Sequence, residues 1–235
     1  MGSGRFLNSG ALSGAENMAL DAWLIDEAGR LGLPLLRLYA WSRPTLSLGY
    51  FQKLEDVADA AFMASHGVDG VRRPTGGGAI LHDRELTYSL ALPLSHPALQ
   101  GSLDDSYLNL SRPLLDFLRK SSIEANFRGA GPQQKAANCF SGAACADIVV
   151  QGKKVFGSAQ RRRSGAMLMH GSLLLGIDEA LWQGVFAGRQ GQGYAGIQLP
   201  ELDWALELQK IYGPALGVES WENLEIKGFS LTGQA

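Results

Sequence analysis

The chain has 235 residues, 46% of them hydrophobic and 19% charged, with a formal net charge of −2. That length suits one domain with a full core, and the balance is that of a globular enzyme, not of a disordered or fibrous chain. The near-neutral charge argues against nucleic acid as a partner, and no apolar run reaches the roughly 20 residues of a membrane span. No basic segment followed by an apolar one marks a secretory signal, so a cytoplasmic setting is expected. Two cysteines, Cys139 and Cys145, are too few for a disulfide framework or an unaided structural zinc site, and no bound metal is expected.

Met1 to Gly4 read as a start residue and an expression remnant without structural weight. Ser13-x-x-Glu16 is a capping box that opens a helix over 14–31. Met18, Ala22 and Ile25 share one side of it with Leu20, Leu24 and Ala28 nearby, so it is largely buried, and Gly32 and Pro34 end it. Runs 35–41 and 45–51 read as strands about a Ser42–Arg43–Pro44 turn, and a helix follows over 54–65. Residues 70–93 read as strand, glycine turn, strand and strand, then a helix over 103–120 and a loop over 128–138. Strands are expected over 146–150 and 154–162, about a tight turn at Gln151–Gly152–Lys153, and over 167–177. The Gly- and Gln-rich stretch 184–196 reads as a flexible loop, and the end as a helix over 201–211 with a loosely specified tail. Helices set between clusters of hairpin strands predict an α+β fold with a mixed, mainly antiparallel sheet flanked by helices. The expected organisation is a catalytic domain over 5–180 with 181–235 as an extension packed on it.

Several residues have the types that carry chemistry. Gly76, Gly77 and Gly78 follow Arg72, Arg73 and Thr75 and precede His82 and Asp83. Glycine runs supply positive φ and let a ligand approach the main chain, although a bare hairpin turn fits equally. No Gly-Lys-Ser/Thr follows, so this is no Walker loop, and no helix opens after it, so it is no dinucleotide fingerprint. Cys139 lies in or beside a loop ahead of a basic stretch, where a thiol can become a nucleophile; packing is the commoner fate of a free cysteine, and the one expected of Cys145. Alternation places Lys154 with Phe156 on one face and Val155 with Gly157 on the other. A lysine on the inner face needs an anion or carbonyl partner. His170 alternates with Leu168 and Ser172 and reads as a satisfied core histidine. No triad spacing, HExxH or EF-hand pattern is present.

Six segments stand together in one order: NMALD (17–21), LRLYAW (36–41), TLSLGYFQ (45–52), RRPTGGGAILHDRELTYS (72–89), GKKVFGSAQR (152–161) and HGSLLLGID (170–178). In this, residues 8–178 resemble the lipoate–protein ligase A and octanoyltransferase branch of the biotin and lipoate protein ligase family. The resemblance implies a catalytic core like that of class II aminoacyl-tRNA synthetases and biotin synthetase. It implies that Arg72, Arg73, Thr75, Gly76, Gly77 and Gly78 line an acyl pocket. Lys154 would contact the acyl carbonyl or acyl phosphate, with Gly157, Ser158 and Ala159 as the facing wall and His170 and Gly171 on the next strand. His82 is the candidate base for an acceptor amine.

The resemblance leaves two activities open. An octanoyltransferase takes octanoate from acyl carrier protein onto a cysteine, here Cys139, and passes it to a lysine of a lipoyl domain without a cofactor. Acceptors of that kind are the glycine cleavage H protein and 2-oxoacid dehydrogenase E2. A lipoate ligase instead activates free lipoate with ATP and Mg. Asn138-Cys139-Phe140 is similar to the transferase nucleophile, whereas Thr75 followed by three glycines is the ligase-like form. A non-catalytic lipoyl-domain-binding module is the reading from another class. The basic stretch Lys153 to Arg163 is expected to steer acidic partner proteins.

Overall fold

The computed structural model describes residues 2–129, 145–188 and 193–226. In chain order the elements are β1 (Gly2–Leu12), α1 (Gly14–Leu31), β2 (Leu35–Trp41), β3 (Thr45–Leu48), α2 (Leu54–Val57), α3 (Ala60–Ser65) and β4 (Asp69–Arg72). Then follow β5 (Ile80–His82), β6 (Glu85–Pro93), α4 (Leu103–Lys120), β7 (Ala125–Phe127), β8 (Ile148–Val150), β9 (Lys153–Arg163) and β10 (Ala166–Leu174). The chain closes with α5 (Glu179–Val185), α6 (Trp204–Ala215) and β11 (Val218–Asn223). Eight strands form the main sheet in the order β11-β1-β2-β6-β10-β9-β8-β7, and β4-β3-β5 form a second, smaller sheet. In the main sheet β1 runs parallel to both β2 and β11, and the other pairs are antiparallel. This is the mixed, mainly antiparallel α+β fold expected.

The capping box opens α1 as its sequence requires: Ser13 Oγ accepts from the Glu16 amide, and Glu16 accepts from the Ser13 amide. Gly32 ends the helix in the left-handed conformation at φ 66°. Three expectations need correction. Gly2 to Gly4, given no structural weight, begin β1 and pair there with β11, from the tail read as loosely specified. That pairing joins opposite ends of the chain, so neither strand carries a local turn signal. The helix expected over 54–65 breaks at Ala58, because Asp59 caps a new helix by accepting from the Phe62 amide at 2.9 Å. The strand expected over 45–51 stops at Leu48, where the Tyr50 amide turns to donate to the Thr75 carbonyl.

Apolar side chains divide among three clusters. One face of the main sheet packs Leu36, Tyr88, Leu90, Phe156, Met167 and Met169 against α4 and α6. On the other face α1 covers Leu35, Ala91 and Leu168, and the second sheet with α5 gathers around Leu46, Leu81, Leu174 and Trp182. Among the described residues no helix is long and apolar enough to cross a membrane.

Candidate active site

The gap between the two apolar patches on that second face is filled with polar side chains. Along β10, Leu168 and Leu174 join the apolar patches, while His170 and Ser172 between them are polar and buried. The neighbouring strand β6 places Thr87 opposite Ser172 and Ser89 opposite His170. Next in the sheet, β2 places Arg37 opposite Ser89 and Tyr39 opposite Thr87. Strand alternation thus builds a polar floor two residues deep across three strands.

Asp21 of α1 reaches this floor. One carboxylate oxygen accepts from Arg37 Nη1 and Ser89 Oγ, both at 2.8 Å, and the other lies 2.9 Å from His170 Nδ1. Arg37 also donates to the side-chain and backbone oxygens of Asn17 and to Ser9, and stacks on Tyr39. Burial alone would raise the Asp21 carboxyl, but the His170 bond, the Arg37 charge and the Ser89 bond outweigh it and hold it below the ordinary carboxylate value. Burial pushes His170 below the ordinary imidazole value, with the Asp21 bond offsetting part of the shift. His170 is therefore neutral, with its proton on Nδ1 toward Asp21 and its Nε2 lone pair accepting the Thr75 hydroxyl at 2.6 Å.

Thr75 belongs to the glycine loop, and Arg73 is the spindle of that loop. At 2% exposure, Arg73 donates from Nη1 to the Ser47 carbonyl and hydroxyl, and from Nη2 to the Gly76 and Gly78 carbonyls. Only Gly77 of the three glycines takes a positive φ, 89°. Its carbonyl packs directly on Gly49, leaving no room there for a Cβ. Arg72 points the other way and caps the Gly49, Tyr50 and Gln52 carbonyls, so it does not reach the floor. His82 lies between Ser47 Oγ and Glu85 Oε1, each at 2.6 Å, and its ring stacks on Trp41 at 3.9 Å. Both ring nitrogens are thus engaged, and His82 stands as a wall of the site.

Lys154 is 1% exposed and its Nζ lies 2.7 Å from Asp147. The simple alternation that paired it with Phe156 is interrupted. Ile148 pairs with Phe156 but Val149 pairs with Lys154, so Val155 is an extra residue in β9. Val155 and Phe156 both enter the α4 side of the core, and Lys154 shares its face with Gly157. A Cβ on Gly157 would stand 2.6 Å from Lys154 Cε, so only glycine gives the lysine its path. Gly157 sits opposite Ser172, and Ala159 opposite His170, which joins Lys154 to the polar floor. Ser158 and Gly171 form the intervening pair, and the missing Gly171 side chain makes room for the Phe156 ring on the opposite face.

The basic stretch after Lys153 is dispersed. Arg161 donates to the Pro74 carbonyl, Arg162 to Ser106 on α4, and Arg163 to Asp26 and the Ala22 carbonyl on α1. Alternation sends these arginines to opposite faces, so they form no single basic surface for a partner. Cys139 lies outside the described residues. Cys145 is half-buried, and burial with the nearby Asp104 pushes its thiol up, which suits packing and not attack.

An internal cavity lies at the centre of these groups, bordered by Met18, Tyr39, Trp41, Arg73, His82 and Ser172 among others. Sequence reasoning missed Asp21, Arg37, Ser47, Glu85 and Ser172. The signal for the first two was present: Asn17 and Asp21 are one helical turn apart on an otherwise apolar helix face, and Arg37 interrupts the apolar run LLRLYAW. Ser47 carried none.

The arrangement is a ligase-like α+β fold with a buried lysine and a glycine loop folded over a polar floor. The fold is shared with a lipoate-protein ligase A bound with ATP, at a TM-score of 0.78 and 21% identity over 97% of this chain and 90% of that one. It is shared equally with a bi-partite lipoate protein ligase of Thermoplasma acidophilum, at 0.77 and 21% over 97% and 89%. Residues 13–220 match the lipoyl protein ligase A/B catalytic domain, and the chain belongs to that family. It is 45% identical over 176 residues to the octanoyltransferase LipM of Carboxydothermus hydrogenoformans, a match covering 74% of this chain and 65% of that protein. It is 36% identical over 235 residues to the octanoyltransferase LipM of Geobacillus kaustophilus, covering 96% of this chain and 84% of that protein.

Proposed function

We propose that the chain is an octanoyltransferase of lipoate biosynthesis, which moves an octanoyl group from acyl carrier protein onto Cys139 and from there to a lysine of a lipoyl domain. The observation that carries this reading is the buried Lys154, placed beside Gly157 at the edge of the polar floor, in a chain whose relatives at 36–45% identity bear that activity in their names. The Cys139 thiolate attacks the carrier thioester, the new C–S bond forms, and the carrier thiolate leaves. Lys154, positioned by its contact with Asp147, stabilises the developing oxyanion. The neutral acceptor amine then attacks, the C–N bond forms, the C–S bond to Cys139 breaks, and the amine proton ends on the departing thiolate or solvent. Thioester exchange is nearly isoenergetic and amide formation is downhill, so the scheme needs neither ATP nor metal. Arg73, Thr75 and His170 hold the glycine loop over the acyl chain, with Gly76 and Gly78 fixed through their carbonyls.

Intact mass after incubation with octanoyl carrier protein and no ATP tests the reading. The expected result is an adduct of one octanoyl group that hydroxylamine removes and that Cys139→Ala lacks. Modification of a lipoyl domain only in the presence of ATP and free lipoate would overturn it in favour of a ligase.

A further inference from the structure

Glu85 does not itself border the internal cavity, yet one of its oxygens fixes a whole side of it. Oε1 lies 2.6 Å from His82 Nδ1 and accepts from Thr87 Oγ1 at 2.6 Å and from Ser172 Oγ at 3.0 Å. Thr87 Oγ1 in turn accepts from Trp41 Nε1 at 3.1 Å, and the Trp41 ring stacks on His82 within 13° of parallel. Glu85, Thr87, Trp41 and His82 thus close a ring of contacts, and His82, Thr87, Ser172 and Trp41 all border the cavity.

The opposite wall has a different anchor. His170 and Tyr39 are held by Asp21, which has the permanent charge of Arg37 against it. Glu85 has no such support. Its side chain is 1% exposed, its Oε1 contacts among the described residues are His82, Thr87 and Ser172, and its Oε2 has no hydrogen-bond partner there. A wall held through a single carboxylate oxygen is fixed only as firmly as that acceptor is strong. Bonds to an ionised acceptor are about twice as strong as those to a neutral one.

We propose that Glu85 is a specificity-determining positioning residue, which sets the width of the acyl pocket through His82, Thr87, Ser172 and Trp41 and so the length of acyl chain accepted. This rests on the acyl-transfer reading of the site. Fit of an acyl chain against a rigid wall discriminates by up to about 10- to 200-fold per methylene, and a wall free to shift yields to the longer chain and gives up part of that factor.

The test compares hexanoyl, octanoyl, decanoyl and dodecanoyl carrier proteins as donors to a lipoyl domain, reading kcat/KM for each by intact mass. Glu85→Gln keeps the shape of the side chain but offers a neutral acceptor. It is expected to lower the preference for the best chain over dodecanoyl by about tenfold. Thr87→Val cuts Trp41 from Glu85 and leaves the His82 contact, and is expected to act in the same direction by less. Circular dichroism checks that each variant is folded, and Thr87→Val decides the matter alone if Glu85→Gln is not. A uniform fall in kcat/KM at every chain length, with unchanged ratios in the folded variants, overturns the role of Glu85 and leaves the transferase reading standing. A wild-type protein that transfers no acyl group from any carrier breaks the transferase reading itself, and this inference with it.

Discussion

The two faces of β10 follow the same backbone through opposite chemistry. Met167, Met169 and Leu173 enter an apolar core under α4 and α6, where contacts are many and interchangeable. His170 and Ser172 on the other face enter a polar network in which each partner has a donor or acceptor to match. The apolar face stabilises by area removed from water, a term almost independent of pH. The polar face fixes positions, and losing one member leaves another buried and unpaired, which costs more than the bond itself gave.

The largest expected effect comes from breaking that network at its charge. Arg37→Met leaves the Asp21 carboxylate buried beside an apolar side chain and should lower stability by about 3–5 kcal/mol in urea unfolding. A loss under about 1 kcal/mol would mean that Asp21 is neutralised with little penalty and that the two faces differ less than their composition implies. On the apolar side, Leu114→Ala should cost about 2–5 kcal/mol by leaving a cavity. That loss should be the same at every pH, whereas a pH-dependent loss would blur the contrast.

Of the two faces of β10, the polar one carries the pH dependence. Because burial holds His170 below its ordinary value, the unfolded chain takes up a proton near about pH 6.5 that the folded protein resists. Stability from the neutral ring is therefore fully present above that pH and is lost as the pH falls below it. Asp21, held low, adds stability that is present above about pH 3.9 and lost as the pH falls through its folded value. Unfolding free energy should thus decline in two stages on acidification, and His170→Asn should flatten the first. An unchanged first stage in that variant would assign it to other groups.

Gly157→Ala sharpens the comparison inside the site. The new methyl would meet Lys154 at Cε and Nζ, the far end of a flexible side chain, so the lysine is expected to shift away from Asp147 while the sheet survives. Acyl transfer should fall by about tenfold or more with little change in thermal midpoint. A wild-type rate would show that Lys154 acts from another position. The smallest effect is expected at Phe51, 90% exposed beyond β3, where Phe51→Ser should change stability by less than about 0.5 kcal/mol.

Much of this was legible in the chain. The capping box of α1, the long helix α4, the hairpin at Gln151–Gly152 and the glycine loop are local patterns, set by neighbours within a few residues. The order of six motifs was enough to place the family and to single out Lys154, Thr75 and His170. Alternation also gave the correct faces for β10, since that strand is regular throughout.

Alternation failed on β9, because one inserted residue reverses every side chain beyond it, and a bulge is set by the partner strand. No local pattern marked β1 or β11, which pair across the whole length of the chain. The basic run Lys153 to Arg163 looked like one surface only while it was written on a line. Composition and local pattern thus determined the elements and the residue types able to do chemistry. Which carboxylate faces which histidine, and which arginine turns inward, was decided only when α1, the glycine loop and three strands were packed together. Buried polar groups must find partners wherever the fold brings them, and those partners are chosen by proximity in space and not by spacing in sequence.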